Sequence, residues 1–299
     1  MAEKDITEKT LEAYNDVFAD IVNVLLMNGE PVIGEDELID DVSRSHYKVK
    51  DKIHEQERDV AKFWKSNNIR IAFMGLENQT EPDPDMPLRV MSYDGATYRS
   101  QLIKKSSKFN DKNKLHKTKK YFTQTRFPTI TLVLYFGYRK RWNKPQNLLG
   151  CISVPEMLKP YVNDYKINLF EIAYLSEETI KSFKSDFRFV ADYFYQMQKN
   201  NEYVPSKESI THVQAVLEMM SALTKDKRFE EVCNSSEEGE VKNMCEVLDR
   251  IEARGEARGE ALFAKLTSKL LEAGRVEDLQ KALEDKEYRK QLYMEYGLL

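Results

Sequence analysis

A chain of 299 residues, 41% hydrophobic and 11% aromatic, is long enough to bury a sizeable core, so wholesale disorder is excluded. Charged residues make up 32%, while only 11 Gly and 9 Pro exclude collagen-like and low-complexity classes. The net charge of −4 by itself points to no polyanionic partner.

Residues 9–28 (KTLEAYNDVFADIVNVLLMN) place Phe18, Ile21, Val22, Leu25 and Leu26 on one helical face, and Gly29 and Pro31 end the helix. Residues 31–38 read as a turn, and polar 40–58 as a loop running into a short helix. Asp59–Trp64 and Ile69–Glu77 read as strands. Three prolines within 80–87 mark a turn. A helix follows over Leu88–Ile103, with Leu88, Met91, Tyr98 and Leu102 spaced for one face, and then a Lys-rich loop. Phe127–Phe136 (FPTITLVLYF) is the strongest strand signal, and Tyr165–Tyr174 reads as another strand. Helical patterns then fill 177–200, 206–225, 237–274 and 276–296. The fold class expected is α/β with a mixed sheet over 1–176, followed by an all-helical region over 177–299.

No run of apolar residues is long enough for a membrane span, and the N-terminus lacks an apolar signal core. Cys151, Cys233 and Cys245 show no CxxC spacing, which argues against structural zinc or a disulfide framework and for reduced thiols in a cytoplasmic protein. His46, His54, His116 and His212 form neither HxH nor HExxH, which disfavours a zinc hydrolase.

Charge is distributed unevenly. Residues 86–145 hold 15 Lys and Arg against two acids, a net of +13, and the rest of the chain nets −17. The densest part carries Lys104, Lys105, Lys108, Lys117, Lys119 and Lys120. A basic stripe on an acidic protein is the footprint of a polyanion binder; a solvated loop serving solubility is the alternative. Residues 252–261 (EARGEARGEA) repeat every four residues. On one helix the like charges stack at i,i+4 and the glycines weaken it, whereas a second helix could approach the glycine face and pair with the charged stripes. The expectation is a homodimer through the C-terminal helices, against a repeat with no structural role.

Asp59 opens one strand and Glu77 closes the next, with Gln79 two residues on. Two strands joined by a tight turn bring such carboxylates together at one end of a sheet. Hard oxygen ligands there suit Mg²⁺, which could activate water and stabilise charge on a phosphate. Gln79 could orient that water but cannot take a proton.

The strings ERDVAKFW, IRIAFMGLENQT, MPLRVMSYDGATYRSQL, PTITLVLYFG with Trp142, INLFEIAYL and SDFR together resemble the bacterial Rpn family of recombination-promoting nucleases, also described as YhgA-like transposases, of the PD-(D/E)XK nuclease superfamily. The resemblance covers roughly residues 10–200, and the Glu-Ala-Arg-Gly repeat is common in tails of this kind. It implies an αβββαβ restriction-endonuclease-like core cutting DNA with Mg²⁺, in DNA rearrangement or phage defence. Carried over, Asp59 and Glu77 are the metal-binding acids and Gln79 stands where the wider superfamily has lysine. Asp16, or else Asp20, is the acid borne by the first helix. Arg89, Arg99 and the lysines of 104–120 are expected beside the carboxylates to hold DNA. A catalytically inactive fold that binds DNA or a partner is the alternative, and a helical assembly protein a third.

Overall fold

The computed structural model describes residues 10–41, 44–49, 52–57, 60–74, 81–107, 126–235 and 240–298. A 3-10 turn over Leu11–Ala13 leads into α1 (Asn15–Leu26). Tyr14 between them is extended (φ −72°, ψ 136°), so the single helix expected over 9–28 is divided. Val17, Phe18, Ile21 and Val22 are buried on one face. The chain leaves α1 through two left-handed residues, Asn28 (φ 55°) and Gly29 (φ 85°), as the glycine predicts. Asn23, buried on α1, accepts from the Val32 and Ile33 amides and donates to the Ile33 carbonyl, fixing the return of the chain.

Strand β1 (Leu38–Asp40) is followed by β2 (Arg44–Val49) and β3 (Lys52–Glu57), an antiparallel hairpin with Val49 opposite Lys52. The loop and short helix expected over 40–58 are therefore replaced by strands. The mixed polar and apolar run hid a period of two, with Tyr47, Val49 and Ile53 between charged residues. Strands β4 (Val60–Trp64), β5 (Ile69–Met74), β6 (Thr129–Tyr135) and β7 (Asn168–Glu171) join β1 in a five-stranded sheet of order β1-β4-β5-β6-β7. The β1/β4 and β4/β5 pairs are antiparallel, and β5/β6 and β6/β7 are parallel. The chain is thus α/β with a mixed sheet. The strand expected over Tyr165–Tyr174 is shorter than predicted, because Ile172–Tyr174 is a 3-10 turn.

Helix α2 (Met86–Ser107) crosses over from β5 to β6, with Pro87 in its first turn. Its buried stripe is Met86, Val90, Tyr93, Asp94 and Thr97. The predicted face is wrong: Tyr98 is 44% and Leu102 50% exposed. Apolar periodicity misleads here because Asp94 and Thr97 occupy inward positions, where polar partners on the sheet receive them.

One sheet face presents Val60, Trp64, Ile71, Leu132, Leu134 and Phe136 to a cluster shared with α1, α5 (Phe187–Asn200), α6 (Val213–Thr224) and α7 (Lys227–Ser235). Phe136 meets Phe194 at 5.3 Å and Phe187 at 6.2 Å, so the core runs on past residue 176. The opposite face buries Val133 and Tyr135 against Met86, Val90 and Tyr93 of α2, with Trp142. Short helices α3 (Leu148–Cys151) and α4 (Glu177–Ser182) lie within connections. The helix expected from 206 begins only at Val213, because buried Asp186 accepts from the Thr211 and His212 amides (2.9 and 2.5 Å) and holds that segment out of helical form.

Helix α8 (Met244–Glu272) carries the repeat. Met244 and Val247 belong to the main core, and Leu266 and Leu270 join Ala282 and Leu292 of α9 (Val276–Glu284) and α10 (Lys286–Glu295) in a separate small cluster. Arg254 donates to the Glu231 carbonyl (2.7 Å) and Arg258 pairs with the Glu231 carboxylate (2.5 Å), so the arginines of the repeat engage α7 of their own chain. Among the described residues, no helix is long and apolar enough to cross a membrane.

Candidate functional site

Asp59, Glu77 and Gln79 lie outside the described residues, as do Lys108, Lys117, Lys119 and Lys120. The strands that border them are described. Val60, which follows Asp59 in the chain, pairs with Phe73, and Met74 pairs with Val133. The start of β4 and the end of β5 therefore share one end of the sheet, and that end is also the carboxyl end of β6. In open α/β sheets, ligands bind outside the carboxyl ends of the parallel strands.

The cations expected beside the acids are divided by α2. Arg89, in its first turn, is exposed and pairs with Asp83 at 2.8 Å. Arg99 lies ten residues on, roughly 15 Å along the axis at 1.5 Å per residue. There the Tyr98 hydroxyl accepts from the amide of Thr129, the first residue of β6, and Gln101 bonds both the amide and the carbonyl of Phe127. Arg99 is exposed at that end, and Lys104 and Lys105 lie on the following turns of α2. A crossover helix must return the chain to the amino end of the next parallel strand. Arg99, Lys104 and Lys105 consequently belong to the end of the sheet opposite Val60 and Met74, roughly 20 Å away along β6.

Asp16, in the first turn of α1, accepts or shares a hydrogen bond with His212 Nε2 at 3.1 Å, and the His212 ring stacks on Tyr14 with centroids 3.8 Å apart. Asp20 accepts from the Lys184 and Ser185 amides (2.8 and 2.7 Å), a bond that fixes the entry to α5. The fully buried acid ahead of α1 is Glu12, 1% exposed, on the 3-10 turn that packs against β4. Lys62 of β4 is 0% exposed, pairs with Asp40 and lies 5.8 Å from the Phe18 ring. Sequence reasoning missed both. Glu12 stands two residues before the break at Tyr14, which helical periodicity did not reveal.

A second feature was also missed. At the carboxyl end of β6 a groove of about 270 Å³ is lined by Glu81, Tyr138, Arg139, Lys140, Tyr193 and Lys225, among others. The turn forming one wall is fixed from below. Tyr135 is fully buried, its hydroxyl donates to the Lys140 carbonyl at 2.9 Å, and its ring meets Trp142 edge-on at 5.4 Å. Burial raises the Tyr135 pKa to about 12, with Glu81, Tyr174 and Glu171 adding to the shift, so the hydroxyl stays a donor. Gly137 is required beside it, because a Cβ there would lie 2.1 Å from the Tyr135 hydroxyl oxygen. Lys140 pairs with Glu81 at 2.5 Å, both side chains more than half exposed, a surface pair of about 0–1 kcal/mol. Lys225 caps α6 in the left-handed region (φ 59°). The sequence signal for this wall was the run Arg139-Lys140-Arg141 after the strongest strand. Nothing local signals Lys225.

Among the described residues, no group of three or more His, Cys, Asp or Glu side chains could hold a metal ion. No protein-family model, curated protein or solved structure matches the chain.

Proposed function

We propose that the protein is a Mg²⁺-dependent DNA endonuclease with a PD-(D/E)XK-type core. The observation that carries this reading is the order and pairing of the elements. Helix α1, the antiparallel strands β1, β4 and β5, the crossover α2 and the parallel strand β6 follow the αβββαβ order that the resemblance implies, with the β2–β3 hairpin inserted. Asp59 immediately precedes the second of these strands, and Glu77 and Gln79 follow the third by a few residues. Two carboxylates supply hard oxygen donors that fit Mg²⁺. Asp59 and Glu77 would hold the ion, which when bound supplies water activation and charge stabilisation at a phosphate. Gln79 orients water or a phosphate oxygen. Glu12 is the buried acid next to β4 that can complete the carboxylate set, in place of Asp16 and Asp20.

Two strands are cut most simply by two sites, and we propose a homodimer through the exposed stretch of α8. The test of the activity is conversion of supercoiled plasmid to nicked and linear forms. The parent is expected to cut with Mg²⁺ and not in EDTA, and Asp59→Ala and Glu77→Ala to leave the plasmid intact. A parent that binds DNA but never cuts it, with Mg²⁺ or Mn²⁺, would identify an inactive binding fold instead.

A further inference from the structure

A nuclease whose acids sit at one end of a sheet needs cationic groups at that same end, since carboxylates alone repel a phosphodiester backbone. The sequence assigned that role to Arg89, Arg99 and the following lysines; Arg89, in the first turn of α2, pairs with Asp83, and Arg99, Lys104 and Lys105 belong to the other end. The groove beyond the carboxyl end of β6 holds Arg139, Lys140 and Lys225. Its far wall, Glu81, resumes the described chain two residues after Gln79. The groove therefore adjoins the segment that bears the acids.

We propose that Arg139, Lys140 and Lys225 hold the phosphodiester backbone of duplex DNA beside the carboxylates, a proposal that rests on the nuclease reading. Three features of the groove fit this role. Among the described residues, Arg139 and Lys225 make no ion pair, and the Arg139 guanidinium lies over the Tyr138 ring at 5.6 Å. Lys140 pairs with the exposed Glu81 carboxylate, which a phosphate can replace without uncovering a buried charge. Lys225 occupies a left-handed helix cap, a position that favours glycine, so the backbone gains nothing from a lysine there. The turn that carries Arg139 and Lys140 is clamped by Tyr135 and Trp142, so the charges are positioned before DNA arrives.

The cap position gives a clean variant. Lys225→Gly removes the charge and relieves the left-handed backbone, so its thermal midpoint should match or exceed the parent's. The experiment measures anisotropy of a labelled duplex in EDTA at several salt concentrations, for the parent, for Arg139→Gln, Lys140→Gln and Lys225→Gly together, and for Asp59→Ala. Each phosphate contact contributes about 0.9 to the slope of log affinity against log salt. The triple variant is expected to lose roughly two to three such contacts and at least about tenfold in affinity, with Lys225→Gly alone losing about one contact while remaining fully folded. Asp59→Ala, which removes a carboxylate that repels the backbone, should bind the duplex at least as tightly as the parent. An unchanged slope in a folded triple variant, or a parent that does not bind the duplex, overturns the groove. If the parent cuts plasmid while the triple variant keeps its slope, the groove fails and the nuclease reading stands. If the slope falls but no protein cuts, the groove stands and the nuclease reading fails.

Discussion

Asp94 on α2 accepts a hydrogen bond from the Thr131 hydroxyl on β6 at 2.6 Å, across 37 residues of chain and out of contact with solvent. Its second oxygen accepts from the Tyr165 hydroxyl. Beneath it, buried Arg70 of β5 pairs with Asp41 at 2.9 Å and donates to Thr97 on the next turn of α2. Burial lowers the Arg70 pKa, and Asp41 and Asp94 oppose that shift. A polar clasp thus fastens the crossover helix to strands β5 and β6 and to the segment ahead of β7. Replacing Asp94 by Ala strands a buried and a half-buried donor and leaves Arg70 with one fewer compensating charge, and should cost about 3 kcal/mol. Asp94→Asn keeps the shape and should cost less. Urea unfolding reads both, and an Asp94→Ala midpoint equal to the parent's would show that the clasp contributes nothing.

Gly137 offers a steric prediction. A Cβ there would also lie 2.2 Å from the Tyr135 ring carbon Cζ, and that ring is packed on all sides. Gly137→Ala should destabilise the fold by about 1–3 kcal/mol, the usual range for overpacking. It should weaken duplex binding as well, because the displaced turn carries Arg139 and Lys140. A variant as stable as the parent would mean that the turn is freer than its contacts imply.

The Tyr135 hydroxyl predicts an alkaline effect. Burial raises its pKa from 10.0 to about 12, so the folded state favours the neutral phenol. A raised folded-state pKa contributes stability that is complete below the unfolded value and is lost as pH climbs through the folded one. Tyr135 should therefore help steepen the parent's loss of stability between pH 10 and about 12, and Tyr135→Phe should flatten that stretch. At neutral pH the same variant should lose about 1 kcal/mol with the bond to the Lys140 carbonyl. Parallel stability curves above pH 10 would exclude the assignment.

The dimer is tested at the glycines of the repeat. Among the described residues, nothing apart from the helix's own backbone and the adjoining residues lies within 4 Å of a Cβ built at Gly255 or Gly259. Leucine at both positions should leave the fold intact and raise helix propensity, yet fill a close helix–helix contact. The parent is expected to sediment as a dimer at micromolar concentration and the Gly255→Leu, Gly259→Leu variant as a monomer. Identical sedimentation of the two would remove these glycines from any interface.

The sequence made the sheet legible where burial on both faces leaves an unbroken apolar run, as in Thr129–Tyr135. It failed where inward positions are polar. Asp94 and Thr97 displaced the predicted face of α2, and buried Glu12 and Lys62 gave no pattern to follow, because their burial depends on partners far away in the chain. The resemblance singled out Asp59 and Glu77, which lie outside the described residues, and the strands bordering them were legible through period and composition. Charge was legible as a total but not as a location. Lys104 and Lys105, near the end of a crossover helix, belong to the end of the sheet where that helix finishes, and only the parallel pairing of β5 with β6 tells which end that is. Lys225 joins Arg139 through the meeting of α6 with the turn after β6, a contact that no local pattern encodes.

Between Ile251 and Leu266, α8 buries no residue, and the two hydrophobic clusters it connects are complete without this stretch. The four-residue repeat lies within that stretch, and among the described residues its bonds to the body come from Arg254 and Arg258. Inserting one more Glu-Ala-Arg-Gly unit after Gly259 would lengthen the rod by about 6 Å and turn its far end by about 40°. Neither cluster would have to repack. The repeat is therefore a spacer adjustable in fixed steps, through which the reach and bearing of the terminal three-helix unit can change while the sheet and its groove stay as they are.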